Sequence, residues 1–244
     1  MIYHAPNLLK EKHAFFGCQG GCSTGEFSSL NVNQLSSDDP ESIKKNMETI
    51  AQNFHKKAEQ INILNQTSHT NIAVFIDEPS QYKIIADGSV TKNKDILLGV
   101  TTADCTPVLF ADYQSQIIGA AHSGWRGSVN GILENTLDLM IKHGAKLENI
   151  SAAIGPCIQQ QSFEVGQDVF DLANAPQYFT PKENGKYMFN IEGYIITRLK
   201  KYGLKDITAS GIDTYSNPDK YFSYRRNTHR NIKPFPVQIS VIGL

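Results

Sequence analysis

The stretch "TPVLFADYQSQIIGAA" (residues 106–121) constrains the fold more than any other. Two apolar, strand-forming runs flank a polar turn at Asp112 to Ser115, which reads as a β-hairpin. A turn symmetric about Tyr113-Gln114 sets Cys105, just before the hairpin, directly opposite His122, just after it. Their Cβ atoms are then about 4.5–5.5 Å apart on one sheet face. A register displaced by one residue would put them on opposite faces. At that distance a Cys and a His serve as a catalytic dyad or as two ligands of one metal. Both are also ordinary residues of a buried strand end.

Other runs follow the same logic. "INIL", "IAVFI", "LLGVTT", "ISAAIG", "DITASGID" and "VQISVIGL" are short strand candidates. Asp38-Asp39-Pro40 starts a helix, with Ile43, Met47, Ile50, Phe54 and Ala58 at helical spacing. After Gly127, "SVNGILENTLDLMIKHG" reads as one helix, with Ser128 as cap and Gly144 as stop. Asn190 caps a further helix, "IEGYIITRLKKYG", that ends at Gly203. Strands that follow one another directly exclude a purely parallel, doubly wound sheet. The expectation is a mixed α/β (α+β) chain, residues 1–244 forming one domain.

Net charge is −1, from 23 basic and 24 acidic residues, so no basic face is offered to nucleic acid or to an anionic membrane. The start "MIYHAPNLLKEKHAFFG" lacks the pattern of a signal peptide, and no run approaches a membrane span, so the expected location is cytoplasmic. The four cysteines are then reduced. Cys18 and Cys22 form a CxxxC pair in a Gly-rich loop with no second pair beside it, which favours small loop residues over a zinc knuckle. Cys157 reads as a packed thiol.

The flanks of the Cys–His pair add chemistry. "TADC" sets Asp104 beside Cys105, and "AHSGWRG" follows His122 with two glycines and Arg126 just before a helix start. Helix starts present free N–H groups and positive potential, which suit an anion.

The blocks "GVTTADCTPVLFAD", "IIGAAHSGWRG" and "AAIGPCI...FEVGQDV", with "GGCSTGEFSSLN" before them and "FSYRR" after, resemble the signatures of the YfiH/laccase-domain family. These are bacterial proteins similar to multicopper polyphenol oxidases and generally regarded as purine nucleoside phosphorylases. The resemblance implies mixed sheets sandwiched by helices, as in cysteine-hydrolase-like folds. It implies a zinc site from Cys105, His122 and a third ligand, for which His69 in "NQTSHTN" is the candidate. The family's Gln-x-His spacing is one residue longer here, between Gln66 and His69. Two His and one Cys with an open fourth position make a catalytic zinc site, able to activate water or polarise a substrate. The implied substrates are a purine nucleoside and phosphate, with adenosine deamination as a further activity. Arg126 is the first phosphate candidate, Arg225 and Arg226 the second. Asp104 and Gln66 are supporting residues behind the ligands. Cys18 stands where the family carries an arginine, and "KPFPVQIS" lacks the family's Gly-Arg before the last strand.

Three alternatives stand beside this reading. A copper polyphenol oxidase needs many histidines, often as His-x-His. The chain has seven, His4, His13, His55, His69, His122, His143 and His229, and no two are two residues apart. A metal-free hydrolase would use Cys105 as nucleophile. A binding protein without catalysis would fit the missing arginines.

Overall fold

A computed structural model describes residues 1–67, 70–233 and 235–244. Two six-stranded sheets stack face to face. The first runs in spatial order Ile2–Tyr3, His13–Phe16, Gln238–Ile242, Leu97–Thr102, Ile61–Asn65 and Gln81–Ile85. The second runs Asp206–Ala209, Ser151–Ile154, Thr106–Asp112, Ile117–Ser123, Gly88–Thr91 and Ala73–Phe75. Each mixes parallel and antiparallel pairs: Ile61–Asn65 is parallel to Leu97–Thr102, whereas Thr106–Asp112 is antiparallel to Ile117–Ser123.

Alternation along the strands explains the layering. In Leu97–Thr102, Leu98 and Val100 face inward and meet Leu109, Ile118 and Ala120 of the second sheet. Leu97 of the same strand faces out, where helix Pro40–Gln52 covers it with Met47 and Ile50. On the far side Val108, Phe110, Ile117 and Ala121 lie under Leu133, Leu137 and Met140 of helix Ile132–Lys142 and Ile195 and Leu199 of helix Ile191–Tyr202. Each such side chain, once buried, contributes about 1.5–3 kcal/mol. The expected sandwich of mixed sheets between helices is therefore present.

Three local expectations need correction. The helix starting at Pro40, capped by the Asp39 carboxylate on the Glu41 and Ser42 N–H groups, ends at Gln52. Phe54 and Ala58 thus lie beyond it, although Phe54 still packs on the same apolar cluster. The helix after Gly127 is two helices, Trp125–Asn130 and Ile132–Lys142, broken at Gly131 with φ 91°. Ser128 does not cap it. It lies inside the first helix, donating to the Gly124 carbonyl at 2.9 Å and pairing with the Ser123 hydroxyl at 2.8 Å. The hairpin pairs Pro107 with His122 and Asp112 with Ile117, so its centre is Gln114-Ser115. A two-residue turn at Tyr113-Gln114 would need positive φ at both residues, which Gly or Asn supply and Tyr and Gln resist. Instead a four-residue turn forms. The Asp112 carboxylate accepts from Ser115 N at 2.9 Å, and Gln116 alone takes a left-handed φ of 53°.

The Asn190 cap is as expected: its side chain accepts from Gly193 N at 2.9 Å, and Gly203 closes the helix with φ 115°. A three-stranded sheet (Glu164–Val165, Tyr187–Phe189, Phe179–Pro181) was not legible in the sequence. Its ring stack, Phe179 on Phe189 at 4.2 Å and Phe163 on Phe189 at 5.8 Å, brings Phe163 to the functional end of the molecule.

Candidate active site

The register correction keeps Cys105 and His122 on the same face. His122 sits opposite Pro107, and Cys105, just before that strand begins, lines the same cavity as His122. The chain leaves the first sheet at Thr102 and enters the second at Thr106, so Cys105 belongs to the link between them. His122, 4% exposed, points into the layer between the sheets where that layer opens to a cavity of about 620 Å³. Cys105, His122, Gly124, Trp125 and Arg126 line one wall. Leu35, Tyr82, Tyr224, Phe235 and Val237 add apolar surface to its lining, and Phe163 and Arg225 line it as well.

The His122 ring is held from two sides. Its Nδ1–H donates to Asp87 Oδ1 at 2.8 Å, and the Cys105 sulfur lies close enough to act on the ring electrostatically. Nδ1 being taken, Nε2 is the nitrogen left for the sulfur. Burial alone would push the pKa of this ring down. The charge of the Cys105 sulfur and the Asp87 carboxylate overcome that and hold it above the ordinary histidine value. Asp87 also receives Thr70 at its other oxygen, from the backbone N–H at 3.2 Å and the hydroxyl at 2.6 Å. Nothing in the sequence flagged Asp87. It precedes strand Gly88–Thr91 and is separated from His122 by 35 residues. Only the pairing of Gly88 with Ala121 brings the two together.

Thiolate and imidazole form a donor set suited to zinc or a soft copper ion. Among the described residues, no group of three Cys, His, Asp or Glu side chains completes a metal cage. The third candidate, His69, lies outside the described residues. Gln66 is locked to the end of the first sheet: its amide donates to Thr101 O at 2.7 Å and its carbonyl accepts from Thr101 N at 2.9 Å. Gln66 also lines the cavity.

Asp104 adopts φ 81° and is 7% exposed. Its carboxylate accepts from Thr214 Oγ1 at 2.6 Å, Ser223 Oγ at 2.8 Å and Arg225 N at 2.7 Å. Burial nevertheless raises its pKa. Asp104 thereby ties the Cys105 link to the start of helix Tyr224–His229, whose cap is Ser223.

The three arginines separate. Arg126, exposed, stacks 4.1 Å over the Trp125 ring at the cavity wall. It sits in the first turn of Trp125–Asn130, a helix start without a side-chain cap. Arg225 also lines the cavity, one nitrogen donating to Glu164 O at 2.8 Å and the group lying 5.7 Å from the Phe163 ring centre. Arg226 does not line the cavity. Its guanidinium donates to the carbonyls of Thr214, Tyr215 and Tyr221 and pins the loop before helix Tyr224–His229. Cys18 is likewise away from the cavity, 5% exposed in the cluster with Phe16, Leu30 and Phe222. Burial raises its pKa. The missing loop arginine therefore marks a packed position, and Cys18 is not a contact awaiting phosphate. Cys157 is fully buried, its pKa raised by desolvation, as a packed thiol would be.

The family model described as multi-copper polyphenol oxidoreductase laccase matches residues 12–235, and the chain belongs to this YfiH/laccase-domain family. A protein of Rickettsia prowazekii (strain Madrid E) named purine nucleoside phosphorylase is 41% identical over 196 residues, covering 78% of this chain and 80% of that one. One from Deinococcus radiodurans, with the same name, is 34% identical and covers 100% of this chain and 92% of its own. A crystal structure of a Neisseria meningitidis protein aligns with a TM-score of 0.87 at 30% identity, over 100% of this chain and 98% of that one.

Proposed function

We propose that the chain is a zinc-dependent purine nucleoside phosphorylase, acting on adenosine, inosine or methylthioadenosine with phosphate. The observation that carries the reading is the convergence of Cys105 and His122 at a cavity that also holds two arginines and several aromatic rings. The names of the relatives in Rickettsia and Deinococcus support it.

The residues divide the work by chemistry. Arg126 and Arg225 offer planar donor forks matched to phosphate. The stack on Trp125 and the bond to Glu164 O hold those forks without side-chain carboxylate partners. Rings at Trp125, Phe163 and Tyr224 offer flat apolar faces to a purine. In the reaction a phosphate oxygen bonds to C1′ as the C1′–N9 bond breaks, and the electron pair leaves with the base, which takes up a proton. Cys105 and His122, with His69 as third donor, would hold zinc, which supplies a Lewis acid beside the substrate. The chain's own contribution is to hold phosphate and sugar in line and to keep His122 oriented.

The same pocket chemistry extends to adenosine deamination, which releases inosine and ammonia. A copper oxidase reading has less support. The His4 and His13 rings lie 5.4 Å apart, but both nitrogens of His13 are committed to backbone groups, so this pair does not make a second copper centre.

The test is to incubate the zinc-loaded protein with adenosine, with and without phosphate. Adenine and ribose 1-phosphate are expected only with phosphate. Inosine alone would establish a deaminase, and no product would overturn the reading. Arg126→Ala removes a charge-assisted contact of about 1.5–3 kcal/mol and should raise the KM for phosphate roughly ten- to hundredfold, leaving that for nucleoside closer to unchanged.

A further inference from the structure

We infer that Asp87 is the positioning residue of this site, a single carboxylate that selects the His122 nitrogen presented to Cys105 and anchors the chain at Thr70. The burial is complete enough to matter: Asp87 is 1% exposed and His122 4%. Four hydrogen bonds among the described residues tie Asp87 to His122 and Thr70. Asp87 Oδ1 accepts from His122 Nδ1 at 2.8 Å, and the Asp87 backbone carbonyl accepts from His122 N at 2.7 Å. The second oxygen accepts from Thr70 N at 3.2 Å and Thr70 Oγ1 at 2.6 Å.

A histidine ring has two nitrogens, and whichever one keeps its proton leaves the other as the donor atom. A carboxylate accepts and never donates when ionised, so the nitrogen facing Asp87 must be the N–H. Nε2 is then the atom free to act toward Cys105. The backbone bond from His122 N to Asp87 O holds the two residues in register, so the ring is presented to the carboxylate that orients it. Carboxylate–histidine pairs of this kind support metal ligands generally, and losing the carboxylate typically lowers metal affinity ten- to hundredfold. The second oxygen gives Asp87 a further role. Thr70 follows the segment that Gln66 ties to Thr101 of the first sheet, whereas Asp87 leads into Gly88–Thr91 of the second. One carboxylate thus joins the residues just before two neighbouring strands of the second sheet, Ala73–Phe75 and Gly88–Thr91.

The inference rests on the metal reading for one of its two readouts only. The first uses no metal. In 15N-histidine-labelled protein, His122 should show a ring N–H resonance protected from exchange, and Asp87→Ala should remove it. A protected His122 ring N–H that survives in Asp87→Ala would overturn the assignment. The second uses cobalt(II) alone, followed through its thiolate charge-transfer band and a competing chelator. Asp87→Asn, close to isosteric, should fold with cooperative unfolding near the wild-type temperature and bind cobalt ten- to hundredfold more weakly. Unchanged affinity would overturn the proposal. Thr70→Val removes the hydroxyl bond but leaves Asp87 on His122, and should cost only a few-fold. A loss equal to that of Asp87→Asn would overturn the role assigned to His122. Wild-type protein that binds no cobalt would sink the metal reading, while the ring N–H measurement would still decide the role of Asp87.

Discussion

Among the described residues two histidines are buried, His13 and His122, and they behave in opposite ways. His13, 0% exposed, starts strand His13–Phe16 of the first sheet. Its Nδ1 donates to Leu9 O at 2.8 Å and its Nε2 accepts from Ala5 N at 2.8 Å. Both partners are neutral backbone groups and both nitrogens are satisfied, so burial wins and lowers the pKa. His122 is buried almost as deeply, but the Cys105 sulfur and the Asp87 carboxylate act on it with negative charge, and its pKa is raised. Burial is therefore not what makes a histidine chemical. The charge of its partners decides between a fastener and a functional group.

The largest expected effect falls on the charged side of this contrast. On the proposed function, Cys105→Ala should reduce phosphorolysis to background and abolish zinc binding while the chain still folds, because Cys105 is half-exposed at the cavity. Retained zinc at wild-type stoichiometry would break the comparison by removing Cys105 from the ligand set. A collapse of the fold would turn the site into a structural one.

His13→Ala should do the reverse. It strands Ala5 N and Leu9 O and empties a packed ring site, a loss of about 3 kcal/mol. For a chain of this size that corresponds to a fall of roughly 6–12 °C in Tm. Turnover per folded molecule should stay at the wild-type value. A stable but inactive His13→Ala would place His13 in the functional machinery and end the contrast.

The smallest effect is a slope. His13 has a folded pKa below its unfolded value, so the unfolded chain binds the proton more readily. Stability should then decline as pH falls through the ordinary histidine range near 6.5, by at most about 1.4 kcal/mol per pH unit for one proton. Denaturant titrations from pH 7.5 to 5 in wild type and His13→Gln measure it. The same slope in both would show that another group carries the acid sensitivity.

How much of this was readable beforehand depends on how far each feature reaches along the chain. The strands 61–65, 97–102, 106–112 and 117–123 announce themselves by apolar composition, and helix Ile191–Tyr202 by its Asn190 cap and Gly203 stop. The Cys105–His122 contact was legible because one hairpin generates it, and it survived a register displaced by two positions because strand faces repeat every two residues. Strands Gln81–Ile85 and Gly88–Thr91 were not legible, being short and rich in polar and glycine residues. Asp87 was invisible for the same reason: its pairing with His122 is made by sheet order and leaves no local pattern. The fates of Arg126, Arg225 and Arg226 also had no local signal, since adjacent residues on a helix start point to different surroundings.

The link Ala103-Asp104-Cys105 is a short tether between the two sheets. Stacked sheets lie about 10 Å apart, and the four Cα steps from Thr102 to Thr106 reach at most roughly 13–14 Å. The span leaves little slack, and Asp104 takes up what remains by its left-handed turn and its three bonds to the 214–225 region. The thiol is thus placed by a link of few residues pinned at Asp104, much as a short, knotted string fixes a bead. One glycine inserted after Ala103 would leave both sheets intact and let the bead slide.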